Sequence, residues 1–273
     1  MHEISDMLAG LTDEAGTEGF LQNPFESTLH EIISRNLHVD VMNSILSGMV
    51  GDVRDFEIFT SGAFFNIVSL GDLDLTLVRY KQITKYIYSS PIAYSQAQIS
   101  PGFSRVATYR LADDEPLADI FDPGRTIERV QILTTTPGQV FSKTYESIVD
   151  LAGFDTLPTM YLRLSAPPRG GYEWAFDRDT LAAKRYSTIY LAESNLCAIF
   201  DVLGEVGDAA SEDYLERYTA HSHHFVRWKA VQSLAALNPA RAFPIVCRLQ
   251  DDAHPDVRAA AKTALSSCIL TAG

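Results

Sequence analysis

Histidine is missing from the whole middle of this chain: none occurs between His38 and His221. That region cannot build a His-rich metal site by itself, which argues against a metal-dependent oxygenase there. Cysteine is scarce as well. Cys197, Cys247 and Cys268 are an odd set with no close spacing. Each falls in an apolar helical context where a buried thiol is the usual finding, so a reducing cytoplasm is the compartment expected. No run approaches the ~20 apolar residues that a spanning helix needs. The acidic start "MHEISDMLAGLTDEAGTEGF" has no basic segment leading into an apolar one, so no secretory signal is expected. There is no phosphate-cradling glycine loop, no Gly-x-Ser-x-Gly elbow and no His-Glu-x-x-His.

Positive charge is also lacking where phosphate would need it. The net charge is −13. Residues 1–60 carry 11 acidic and 2 basic side chains, residues 61–190 carry 14 and 13, and residues 191–273 carry 10 and 7. Binding to nucleic acid or to an anionic membrane draws on clustered Lys and Arg, and no segment offers an excess. Neither partner is expected.

What the chain does have is a repetition near its end. "HSHHFVRWKAVQSL" and "DAHPDVRAAAKTAL" align at one offset: His223 with His254, Val226 with Val257, Arg227 with Arg258, Ala230 with Ala261, and Leu234 with Leu265, each 31 apart. The offset also carries "LGEVGDA" onto "LAALNPA". A constant period of this size marks stacked supersecondary units. Apolar residues within each unit have helical spacing, which predicts helices at about 191–203, 209–219, 224–236, 239–250 and 255–270. Gly204, Gly207, Asn238-Pro239 and Pro255 are read as the breaks.

These stretches resemble short HEAT repeats of the phycobilisome-lyase type, over roughly residues 195–270. The resemblance implies a stacked-helix fold whose members serve as scaffolds, adaptors and occasionally enzymes. Val226, Arg227, Val257 and Arg258 match positions that are structural in that family, so no catalytic residue carries over. Arg227 and Arg258 should reach the loops between stacked pairs, where Asp208 and Asp252 stand.

From Phe56 the pattern turns to β. "FEIFTSGAFFNIVSL", "LDLTLVRYKQITKYIY", "FSRVATYRL", "TIERVQILTTT", "QVFSKTYESIVDL", "TMYLRLSA" and "YEWAFD" are rich in branched and aromatic residues between Gly and Pro turns, as in a sandwich or barrel. "VQILTTTPGQVFSKTYESIVDLAG" resembles the first motif of a cupin, with Ser142 and Thr144 standing where that family has histidines. Ser and Thr hydroxyls are poor ligands for iron, zinc or manganese, so no metal and no cofactor are expected. Ser142, Thr144 and Glu146 share one strand face, read as facing the barrel interior, and Arg79 with Lys81 could line the same pocket for an anion. His221, His223 and His224 form the one histidine cluster. No cysteine or carboxylate stands at close spacing, so they are read as a solvated turn in which His223 helps cap a helix. "PPRGGYEW" is read as a hairpin loop, with Arg169 and Trp174 as rim residues.

The expected architecture is α+β: a helical lead at 1–55 whose first 24 residues form a loosely ordered arm, an antiparallel cupin-like jelly-roll at 56–186, and a HEAT-like α-solenoid at 187–273. The expected function is a non-catalytic cytoplasmic interaction or regulatory protein that uses the solenoid surface. The alternative is a cupin-like enzyme or small-molecule binder. The expected partner is another protein, with self-association through the β region left open.

Overall fold

A computed structural model describes residues 2–15, 22–49, 64–113, 119–155 and 158–271. The chain divides into two compact units, one of residues 1–117 and 121–187, the other of residues 118–120 and 188–273. The start of the expected first strand, Phe56 to Ala63, lies outside the described residues.

The first unit opens with three helices: α1 (His2–Ala15), α2 (Gln22–Ser34) and α3 (Leu37–Met49). Within the expected loose arm, His2–Ala15 is helical instead. Ile4, Leu8 and Leu11 recur at i, i+4 and i+7 and are buried, as are Phe25, Leu29 and Ile32 on α2. Gly10 falls on an open side of α1 where a Cβ would meet nothing, so it does not interrupt the helix. α2 and α3 are separated at Asn36, which takes the left-handed conformation (φ 54°) that asparagine tolerates. Their apolar stripes pack with Leu73, Leu75, Leu162 and Leu164 of a sheet. Each such side chain contributes about 1.5–3 kcal/mol on burial.

Among the described residues eleven strands follow: β1 (Phe64–Leu70), β2 (Leu73–Tyr80), β3 (Tyr86–Tyr88), β4 (Tyr94–Gln98), β5 (Ser104–Leu111), β6 (Ile127–Thr135), β7 (Val140–Lys143), β8 (Ile148–Phe154), β9 (Thr159–Ser165), β10 (Tyr172–Asp177) and β11 (Ala183–Thr188). They form sheets of order β1-β2-β9-β4-β7, β11-β10-β3 and β6-β5-β8. The antiparallel pairing is nested: β3 with β10, β4 with β9, β5 with β8. A long hairpin rolled up on itself gives this pattern, which is a jelly-roll. Gly71 (φ 57°) and Gly138 (φ 82°) supply the left-handed residues of the β1–β2 and β6–β7 turns.

The five-stranded sheet has two unlike faces. Leu75, Leu162, Leu164 and Val140 pack with the helices. Val78, Tyr94, Phe141 and Tyr161 point the other way into the barrel, joined by Val106 and Leu151. β4 is buried along its whole length although it reads Tyr-Ser-Gln-Ala-Gln. Its polar groups find partners there. The Gln98 amide donates to the carbonyls of Ser100 (3.1 Å) and Gly102 (3.0 Å), and its oxygen accepts from Ser104 (2.9 Å) and Thr135 (3.0 Å).

The second unit carries α4 (Leu191–Val206), α5 (Ala209–Tyr218), α6 (His224–Leu237), α7 (Pro239–Arg248), a 3-10 turn (Leu249–Asp251) and α8 (Pro255–Thr271). Phe200, Leu215, Val226, Ala230, Leu234, Ile245, Val257 and Ala261 make its core. Of the expected breaks, Gly204 is not one. It lies inside α4, where an added Cβ would meet the Cα, Cβ and carbonyl of Ser233 on α6 at 3.1–3.2 Å. Gly204 is therefore where two helices touch closely. The α+β architecture read from the sequence, a helical lead, an antiparallel jelly-roll and HEAT-like repeats, is the one observed.

Candidate functional site

The barrel interior is the first place to look, and aromatic side chains fill it. Tyr161 meets Tyr80 edge-on at 5.7 Å and Phe141 at 6.0 Å. The cavity left among Tyr80, Tyr94, Gln96, Phe141 and Asp150 is about 10 Å³, no more than one water requires. Asp150 is in contact with Arg178 at 2.6 Å, and burial pushes its carboxyl up to about 6 against the pull of that guanidinium.

The residues singled out from the sequence do not converge there. Because side chains alternate along β7, Phe141 and Lys143 take one face and Ser142 the other. The Ser142 hydroxyl donates to Glu26 of α2 and is within 2.6 Å of the Ser95 hydroxyl, so it joins helix to sheet. Thr144 lies in the following turn. Its N–H donates to the Ser147 hydroxyl, and its carbonyl accepts from Lys143 and Ser147. Glu146, Arg79 and Lys81 are exposed. Lys143 went unnoticed in the sequence. It is buried, and its ammonium donates to the carbonyls of Ser90, Ile92 and Thr144 at 2.7–3.0 Å. Burial pulls it down to about 8.

A larger concavity opens on the same face of that sheet. It measures about 510 Å³ and is lined by Phe64, Asn66, Asp74, Thr76, Arg163 and Ser165 among others. Arg163 lies over the Tyr94 ring at 4.1 Å and donates to Gln96 (2.8 Å) and the Tyr80 hydroxyl (2.9 Å). Among the described residues no carboxylate forms an ion pair with it. The expected rim residues are placed differently. Trp174 is a core residue of β10, against Phe121 at 5.3 Å, while Arg169 lies over the Tyr145 ring at 4.4 Å.

In the helical unit Arg227 forms a two-pronged bond with Asp252 (2.9 and 2.6 Å) and donates to the carbonyls of His221 and Ser222. Arg258 donates to the carbonyls of Asp252 and Ala253 at 2.7 and 2.8 Å. Asp208 instead caps α5, accepting from the Ser211 N–H at 3.0 Å. Asp252 thus serves both repeated arginines. His223 stands at the N-cap of α6 but makes no side-chain cap bond; its ring lies against Tyr190 at 4.6 Å.

Two surface features remain. Leu191, Ile199, Val202 and Val206 are exposed on α4, and their spacing keeps them within one quarter of the helix circumference. Among the histidines His223 meets Glu193 at 3.6 Å, while His224, His254 and Asp119 converge. Asp119 is 105 residues before His224, so local spacing could not have revealed it.

The family model for HEAT repeats matches residues 195–266. No curated protein matches the chain. Similar solved structures include hydroquinone 1,2-dioxygenase PnpCD in complex with Cd2+ and 4-hydroxybenzonitrile, at 12% identity over 38% of this chain and 63% of that one, with a TM-score of 0.29. KdgF from Halomonas sp. is 11% identical over 42% of this chain and 89% of its own, at a TM-score of 0.27. An RmlC-like cupin protein from Ralstonia eutropha is 10% identical over 53% and 80%, at 0.26. The match covers less than two thirds of the dioxygenase chain. Among the described residues no helix is long and apolar enough to cross a membrane.

Proposed function

We propose that this protein is a non-catalytic, cytoplasmic interaction or regulatory protein whose partner docks on the helical repeats. The observation that carries the reading is the apolar stripe of α4. Leu191 is 73% exposed, Val202 58% and Val206 75%. Helical repeats bury one face of each helix in the stack, and an apolar outer face is left for something else to cover. The filled barrel agrees with a scaffold role for the β unit. The lyase-type likeness of Val226-Arg227 and Val257-Arg258 belongs to this reading, and it brings no catalytic residue with it.

The test is crosslinking in cells with quantitative mass spectrometry, comparing wild type with an Ile199→Glu, Val206→Glu double variant of equal melting temperature. One or a few proteins crosslinked through α4 in wild type and lost in the variant support the reading. An unchanged set, or none, refutes it.

The 510 Å³ concavity favours a second reading, a small-molecule binder. A guanidinium braced by Tyr94, Gln96 and Tyr80, with no carboxylate partner among the described residues, suits a small organic anion. Thermal-shift screening of carboxylates against wild type and Arg163→Met separates the two. Stabilisation that needs Arg163 favours the binder.

A further inference from the structure

The geometry points to Asp119, His224 and His254 as a binding site for one divalent first-row transition-metal ion of the zinc type. All three belong to the helical unit: residues 118–120 group with 188–273. One Asp119 oxygen, Oδ2, lies 3.8 Å from Nδ1 of His224 and 3.6 Å from Nε2 of His254. The three ligand atoms fall within 4.8 Å of one another. Around tetrahedral zinc, with bonds of about 2.0–2.1 Å, ligand atoms stand about 3.3 Å apart. The two carboxylate edges are therefore a few tenths of an ångström from that spacing.

The surroundings favour an ion. Nε2 of His254 is buried and has no hydrogen-bond partner, so the atom aimed at Asp119 gains its first strong interaction from a metal. The two imidazoles are stacked 3.6 Å apart and within 4° of parallel. Asp119 is half-exposed, which opens the site to entry from solvent and leaves a fourth position for water. Two imidazoles with one carboxylate suit zinc, cobalt or nickel rather than calcium or magnesium, which take oxygen shells.

Ligation requires two adjustments. A ring nitrogen directs its lone pair in the ring plane, so the stacked rings must splay. Nδ1 of His254 accepts from the Asp256 N–H at 3.3 Å, and ligation through Nε2 puts the ring proton on Nδ1, displacing that long contact. Bound metal would fasten Asp119 to the starts of α6 and α8.

The experiment uses full-length, tag-free protein stripped with chelator and titrated with Co2+, whose visible absorption reports low-coordinate nitrogen and oxygen ligands. One equivalent should bind, Zn2+ should displace it, and the melting temperature should rise with added Zn2+. Binding should weaken in acid, because protons compete with the metal for its ligand atoms. Asp119→Asn keeps the shape of a half-exposed side chain and should weaken binding at least about tenfold, while His221→Gln leaves it unchanged. Should Asp119→Asn fold poorly by circular dichroism, Asp119→Ser takes its place. No saturable uptake of Co2+ or Zn2+ by wild type, or equal uptake by wild type and the Asp119 variant, overturns the site.

Discussion

Removing the Arg227 guanidinium should unlock the helical stack. The Arg227 and Asp252 side chains are only 13% and 7% exposed, and the bond between them is two-pronged. Arg227→Ala leaves a buried carboxylate without its cation and the carbonyls of His221 and Ser222 without a donor. Breaking a buried pair from one side costs about 3–5 kcal/mol, and the His254 N–H still bonded to Asp252 argues for the lower end, about 3. If the two units melt together that is a fall of about 6–12 °C, and roughly twice that if the helical unit melts alone. Arg227→Lys should fall between, because an ammonium cannot fill both prongs. Replacing both partners, Arg227→Met with Asp252→Leu, should recover much of the loss.

The pair also predicts a pH dependence. Burial raises the Asp252 carboxyl, but the bonds from Arg227 and the His254 N–H outweigh it and hold the group below its ordinary value. A depressed carboxyl contributes stability above its unfolded value of about 3.9 and loses it as pH falls further. The advantage of wild type over Asp252→Asn should therefore be constant near neutrality and vanish in acid. Calorimetry of these variants at pH 7 and in acid decides the matter. A fall of less than about 2 °C for Arg227→Ala would mean the bond is not what joins the repeats.

Other outcomes can be checked alongside. Asp150, raised to about 6, contributes most below the unfolded value of about 3.9, and that contribution is lost as pH rises through 6. Denaturant unfolding should thus show wild type losing ground to Asp150→Asn between about pH 4 and 6. Gly204→Ala gains about 1 kcal/mol of helix propensity but sets its Cβ 3.1–3.2 Å from Ser233, so a net loss of up to about 2 kcal/mol is expected in the same assay; net stabilisation would show that α4 and α6 can part. β6 is an edge strand with Val130, Ile132 and Leu133 exposed, so light scattering should find self-association that Val130→Lys removes; a monomer at all concentrations excludes it.

The repeat was legible because stacking helices reuse the same core positions, and a 31-residue offset survives in Val226, Val257, Ala230 and Ala261. Most strands were legible from branched and aromatic residues. β4 was not: its Ser95, Gln96 and Gln98 are buried with hydrogen-bonding partners rather than as branched or aromatic side chains, so it falls outside the strand-like runs. α1 was hidden by Gly10 and by acidic residues on its outer side. On β7 the face was misjudged, since parity is set by which neighbour packs against Phe141 and not by composition. Asp119 had no local signal at all, because the groups it meets lie more than a hundred residues away.

The assignment of residues 118–120 to the helical unit has a consequence for how this protein can be taken apart. The unit is encoded in two pieces, with the return stretch of the jelly-roll between them. A gene fragment beginning at Thr188 would keep every helix of the stack yet omit Asp119, so its histidines would lack their carboxylate. No single cut releases the whole unit. Shuffling by simple fusion would therefore transmit the repeats without the Asp119 contact, and only joint inheritance of both pieces preserves it.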